Sequence, residues 1–284
     1  MYLIFLKVNI LTFEKIIGFG IAGNVAGHLE QAGEAADFIN VETVDEAQPK
    51  ALFPFYVPGA INSFLSVYPF SNDRIKTPNN ADNLQIEAEV VLLCDISYSD
   101  NKVVKLTPTH FSAFNDCSIR KANVKKISEK KNWGMESKGI STTLLAIDNL
   151  EPGSLLDDFR IASFHKRNGK LSRYGEDCPV LDYNYFHSNL LEWIKNQMNH
   201  QQDEGPAENI AELLFIADYP QQALISIGAT CYTPFGEKNY LQAGDTSIVV
   251  VYNGKIYSQH DILTMADSEQ FAAEHLSHVI QQVY

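Results

Sequence analysis

The sequence predicts an α+β fold with a β-rich core, on three observations. Short apolar runs of strand type dominate from residue 84 to about residue 256. Asn168-Gly169 and Asn253-Gly254 punctuate such runs as hairpin turns. Helical periodicity is confined to short stretches, and the strands do not alternate with helices in a βαβ series.

Taken in order, the opening MYLIFLKVNIL is apolar but broken by Lys7 and Asn9. It lacks a basic leader and a small-residue cleavage site, so it reads as a first strand, not a signal peptide or a membrane span. Residues 1–45 read as strand, glycine turn, helix and strand. Residues 48–83, rich in Pro, Asn and aromatics, read as a long irregular connection. FRIASFHKRNGKLSRY is a hairpin, and YFHSNLLEWIKNQM (185–198) an amphipathic helix. GDTSIVVVYNGKIYS reads as strand, turn and strand. The tail from Asp267 reads as a helix with Gln270 three residues after its cap. Its apolar stripe is Ala272, Leu276, Val279, Ile280 and Val283. His275 and His278 lie at i, i+3 spacing there, but no third donor is identifiable and they are not read as metal ligands. The organisation expected is a small α/β segment with its connection over 1–83, and a core with a C-terminal helix over 84–284.

The chain has 284 residues, 45% of them hydrophobic and 20% charged, the balance of a soluble globular protein. A formal charge of −13, offset only by the short KANVKKISEKK (121–131), argues against nucleic acid or an anionic membrane as partner. Cys94, Cys117, Cys178 and Cys231 are scattered without CxxC spacing, which fits reduced thiols in the cytoplasm.

The run LQIEAEVVLL (84–93) raises a chemical question, because Glu87 and Glu89 share one face of a strand that is otherwise apolar. Like charges repel and burying either alone is costly, so something positive is expected between them; the competing reading is a solvated strand edge. Asp116, in AFNDCSIR, follows a second buried run. Three carboxylates from neighbouring strands suit a hard divalent cation that keeps positions open for water and substrate. In WGMESKGIST, Lys138 sits among small residues where a cation can hold a substrate carboxylate or enolate, with Thr142 four residues on. ISIGATCYTPFGEKNYLQAGD has the composition of a binding loop around Thr230.

Near the start, Gly18-x-Gly20-x-x-Gly23 stands between a strand and a helix, with Glu42 where a ribose-binding acid belongs. The βαβ pattern does not continue, so a tight strand-to-helix turn explains these glycines better than a nicotinamide site.

Together the E-x-E at 87–89, N-D-x-S-x-R at 115–120, K-x-x-x-T at 138–142, the NGKL hairpin, and GAT with FGE…L..GD resemble the fumarylacetoacetate hydrolase family in its broad sense, over roughly residues 84–255. The resemblance implies a mixed β-sheet roll, usually dimeric. It implies Mg²⁺ (or Mn²⁺, Ca²⁺) on Glu87, Glu89 and Asp116, and a substrate site lined by Lys138, Thr142, Thr230 and Arg120. GNVAGH then corresponds to the family's N-x-x-x-H, with Asn24 and His28. In acylpyruvate-cleaving members that histidine works with a glutamate three residues later, where this chain has Gln31, with Glu30 and Glu34 nearby. The catalytic candidates are His28, Lys138 and Glu30. The activity implied is metal-dependent C–C bond hydrolysis of a small 2-oxo or β-diketo acid through an enolate. Isomerase, decarboxylase or hydratase chemistry gains ground if His28 lacks an acidic partner. A nicotinamide-dependent oxidoreductase and a non-catalytic binding protein are the competing classes.

Overall fold

The computed structural model describes residues 5–39, 41, 43–79, 83–121 and 124–284. Strand β1 (Phe5–Lys7) is followed by β2 (Ile17–Ala22), the short helix α1 (His28–Gln31) and β3 (Ala51–Tyr56). Strands β4 (Phe70–Ser71), β5 (Arg74–Ile75) and β6 (Leu84–Gln85) lead to the long pair β7 (Ala88–Ser99) and β8 (Lys102–Asn115). Next come β9 (Ser118–Ile119), β10 (Lys138–Ile140), β11 (Thr143–Ala146), β12 (Phe159–Arg167) and β13 (Lys170–Pro179). Helices α2 (His187–His200) and α3 (Ile210–Ile216) precede β14 (Gln222–Ser226) and β15 (Thr246–Asn253). Helix α4 (Gln259–Ser268) precedes the last strand, β16 (Leu276–Val283).

Among the described residues the main sheet runs β1-β11-β8-β7-β14-β2-β3, with β10 and β4 branching from β8. A second sheet runs β13-β12-β15-β16-β5. Phe111 of β8 meets Phe159 of β12 edge-on at 4.9 Å between the two sheets, in a core continued by Ile161, Val249 and Leu92. Strands from before and after residue 83 thus share one sheet. No described helix is long and apolar enough to cross a membrane.

One hairpin positions the site. Asp100 and Asn101 join β7 to β8 with φ of 49° and 63°, the left-handed pair that a two-residue turn between twisted strands requires. The resulting register sets Ala88 opposite Asn115, so the start of β7 lies beside the end of β8. The Asp116 N–H donates to the Glu87 carbonyl at 2.9 Å and the Glu87 N–H to Asn115 Oδ1 at 3.1 Å. Residues 29 positions apart in sequence therefore become neighbours.

Several expectations need correction. The tail is not a helix: after α4, residues 276–283 form β16, held between β15 and β5. Flanked by strands on both sides, this apolar run reads equally well at either period, and pairing decides. Asn253-Gly254 leads into α4, not into a strand. The connection over 48–83 contains β3, whose residues are all buried. Pro54 is tolerated there because β3 is a sheet edge and the β2–β3 register slips at that point. Gly18 and Gly20 lie within β2, and a Cβ on them would stand 2.1 and 2.3 Å from the rings of Phe55 and Phe53. Those glycines make room for aromatic rings. Glu42 lies outside the described residues.

Candidate active site

Strand β7 is buried on both faces. Val90, Leu92 and Cys94 enter one apolar cluster, and Val91 and Leu93 enter the other together with Phe53 and Leu224. Glu87 and Glu89 belong to the second row and are 3% and 2% exposed, so the solvated-edge reading fails. With Asp116, which is fully buried, they offer ligand oxygens all within 4.8 Å of one another.

The positive partner is present, and it is a lysine. Lys131 follows a 3₁₀ turn over Ile127–Lys130 and extends its ammonium between two of the three carboxylates. Its Nζ lies 2.5 Å from Glu87 Oε2 and 2.7 Å from Asp116 Oδ2. It also stands 5.0 Å over the Phe53 ring, the ring for which Gly20 makes room. Lys138, on β10, places its Nζ 2.8 Å from Asp116 Oδ1 and donates to the Cys117 carbonyl at 2.5 Å. Arg120 closes the other side, donating to Glu87 Oε1 at 2.6 Å, Glu34 Oε1 at 2.8 Å, Gln85 Oε1 at 2.6 Å and the Tyr232 hydroxyl at 2.6 Å.

This arrangement splits the carboxylates. Burial alone would raise the Glu87 carboxyl, but Lys131 and Arg120 outweigh it and hold it well below the usual range. Burial likewise opposes, and Arg120 with Lys131 prevails, at Glu34, which is also lowered. Glu89 goes the other way: burial, then the Asp116 and Glu87 charges, raise it well above the usual range. Its Oε2 accepts from the Gly228 N–H at 2.8 Å. Lys131, Lys138 and Arg120 pair with Glu87, Asp116 and Glu34, Lys130 is a second partner of Glu34, and among the described residues Glu89 is in no ion pair.

His28 begins α1 and is 6% exposed, with Nδ1 3.1 Å from the Thr230 carbonyl oxygen and Nε2 3.9 Å from Glu87 Oε1. Nδ1 donates to the Thr230 carbonyl, which only accepts, and Nε2 faces the Glu87 carboxylate, another acceptor. Gln31 is committed elsewhere, exchanging hydrogen bonds with the Tyr232 backbone. The Thr230 hydroxyl is buried without a hydrogen-bond partner. Glu30 is exposed on α1, and the half-buried Thr142 accepts from the Val8 N–H at 2.9 Å; neither takes part in the network. A cavity of about 20 Å³, room for one water, is lined by Asn24, His28, Glu87, Glu89, Lys131 and Phe53. A wider groove of about 740 Å³ runs past Arg120 and Trp133 but is not lined by the three carboxylates.

The donor set of the triad suits a divalent cation, but two of its oxygens already serve the Lys131 ammonium, and in this arrangement the ion and the lysine do not fit together. Sequence reasoning missed Lys131, and it placed Glu34 only as a neighbour of His28, not as the partner of Arg120. Lys131 reads there only as the end of the short, interrupted basic run over 121–131.

A model of a family of unknown function, DUF5718, matches residues 34–283. The chain belongs to that family. No curated protein matches in sequence. Among solved structures, a fumarylacetoacetate hydrolase family protein from Yersinia pestis CO92 is similar, with 11% identity over 95% of this chain and 94% of that one and a TM-score of 0.52. So is 2-keto-3-deoxy-D-arabinonate dehydratase in its apo form, at 10% identity over 97% of this chain and 80% of that one, TM-score 0.51. The same dehydratase complexed with magnesium and 2,5-dioxopentanoate gives 11% identity, the same coverage and a TM-score of 0.50. At these identities the likeness establishes the fold: this DUF5718 chain folds as the fumarylacetoacetate hydrolase family does.

Proposed function

We propose that this DUF5718 protein acts on a small 2-oxo acid by moving a proton next to the keto group, as an isomerase or dehydratase does, through an enolate. The observation that carries the reading is the buried His28 imidazole, oriented by the Thr230 carbonyl at Nδ1 and standing at the cavity it shares with Glu87 and Lys131. His28 takes the proton from the carbon beside the keto group and later returns it to the substrate. Lys131 has three N–H donors: one goes to Glu87 Oε2, while Asp116 Oδ2 is an ion-pair partner at 2.7 Å, which leaves a donor for the developing enolate oxygen. Lys138 acts as a positioning residue that fixes Asp116. Hydrolysis fits less well, because Gln31 is occupied by Tyr232 and His28 has no carboxylate on Nδ1 to help it activate water. The Mg²⁺ implied by the resemblance would be held by Glu87, Glu89 and Asp116 only with Lys131 displaced from between them.

The cavity must widen for such an acid. In this reading the wall that opens is the turn over 25–27, exposed at Ala26 and Gly27 and flanked by left-handed Gly23 and Gly27, with φ of 79° and 81°. Proton exchange reads the enolate whatever the final product. Pyruvate, oxaloacetate and acylpyruvates incubated in D₂O should exchange the protons beside the keto group faster with the wild type than in buffer, as followed by NMR. His28→Ala should lower that rate by roughly 10²-fold or more. No acceleration with any acid of the panel, from folded protein, would overturn the reading.

A further inference from the structure

We infer that Lys131 is the resident cation of the acidic triad: its ammonium fills the place between Glu87 and Asp116 that a divalent ion would take, and the protein assembles this site without one.

The lysine is built in from both sides. Lys130 before it bonds Asp37 at 2.7 Å and Glu34 at 3.4 Å. Asn132 after it donates to the Phe55 and Val67 carbonyls at 2.8 and 3.0 Å, and accepts from the Gly134 N–H at 2.9 Å. Lys131 itself is 3% exposed, and the Phe53 ring face lies under its Nζ. A side chain fixed at both neighbours and covered by an aromatic ring has no open course along which to withdraw.

Distance then excludes sharing. Mg²⁺ binds oxygen at about 2.0–2.1 Å. With Nζ already 2.5 Å from one of the two oxygens, an ion on that oxygen would stand within about 5 Å of the ammonium. A dication and an ammonium at that separation in a buried site repel strongly. Lys138 and Arg120 add positive charge on the flanks of the same carboxylates. An ammonium also differs in kind from the ion it replaces, since it carries one charge, offers directed donors and cannot be removed by a chelator.

The inference concerns the same residues as the proposed function but does not depend on the substrate, and its test reads metal binding, not turnover. Wild-type protein dialysed against Mg²⁺ or Mn²⁺ should retain no stoichiometric metal by elemental mass spectrometry. Its melting temperature should be the same within about 1 °C with Mg²⁺, Mn²⁺ or EDTA, because a ligand that does not bind the folded state cannot stabilise it. Lys131→Met, which keeps length beside Phe53 but removes the charge, should melt lower. It should also gain a rise of several degrees with millimolar Mn²⁺ or Mg²⁺, reversed by EDTA and lost when Asp116→Asn is added. One metal equivalent on the wild type, or a metal-dependent rise in its melting temperature, would overturn the inference. So would a folded Lys131→Met variant that ignores metal. If that variant does not fold, the metal content of the wild type decides.

Discussion

Two buried charge clusters in this protein solve the same problem differently. At the start of β15, Asp245 accepts a two-pronged bond from Arg167 at 2.7 and 2.6 Å, lies 2.9 Å from His165 Nε2, and accepts from the Gln242 N–H at 2.8 Å. Arg167 is one-third exposed, so water shares its charge. At the junction of β7 and β8 the cations are covered, with Lys131, Lys138 and Arg120 side chains at 4%, 0% and 8% exposure. A single carboxylate with an arginine fork is a corner staple. A sealed cluster, with Glu89 in no ion pair among the described residues and a buried histidine beside it, is the setting on which the proposed proton transfer rests.

The sharpest way to break that contrast is Asp116→Ala. It strips a partner from two buried ammoniums at once, and breaking a buried pair from one side costs about 3–5 kcal/mol. The melting temperature should fall by roughly 10 °C or more, read by thermal denaturation. A variant that melts with the wild type would mean that Lys131 and Lys138 are solvated and that the cluster is not sealed.

The same contrast explains what the sequence could reveal. That Glu87 and Glu89 share one face was legible because alternation along a strand fixes the face a side chain takes, whereas Arg120 and Lys138 were drawn in by motif spacing and by the resemblance. The need for a positive partner was legible too, since two carboxylates on one face demand one. Its identity was not. Lys131 sits in SEKKNW, on a 3₁₀ turn with no period, and turns inward only because Lys130 and Asn132 are tied to Glu34, Asp37, Phe55 and Val67. None of those tertiary bonds has a local signature. The helix read into the tail failed for a related reason: Leu276–Val283 is a strand because β15 and β5 pair with it, and pairing partners are not written in the segment itself.

Asp245→Asn should have the second-largest effect and a distinctive pH dependence. Burial, the largest single influence, would raise this carboxyl, but the hydrogen bonds from Arg167, His165 and the Gln242 N–H together outweigh it, and its value is lowered from the ordinary 3.8. A depressed carboxyl contributes stability that is fully present above its unfolded value and is lost as pH falls through the folded one. The variant should therefore be less stable than wild type at pH 7 by about 1.5–3 kcal/mol, the range for hydrogen bonds to a charged group. The gap should close in acid below the ordinary value. Urea denaturation at pH 7 and pH 3 reads both; a gap that persists unchanged at pH 3 would assign the loss to packing.

The smallest effect should have the opposite sign. Glu89 is the carboxylate without a cation, raised by burial and by the Asp116 and Glu87 charges, so the folded protein keeps it protonated at pH values where the unfolded chain ionises it. A raised carboxyl works against stability: below its unfolded value of 4.5 it has no effect, and as pH climbs from there toward the folded value the native state loses ground. Glu89→Gln removes that penalty, and its amide oxygen can still accept the Gly228 N–H that now reaches Oε2. The variant should melt with the wild type near pH 4 and a few degrees above it at pH 8, whereas Asp116→Ala and Asp245→Asn both melt lower at neutral pH. If Glu89→Gln instead melts well below the wild type at pH 8, Glu89 is ionised there and paired with a positive charge. The cluster would then hold a further cation, and the account of Lys131 as sufficient for the triad would fall with it.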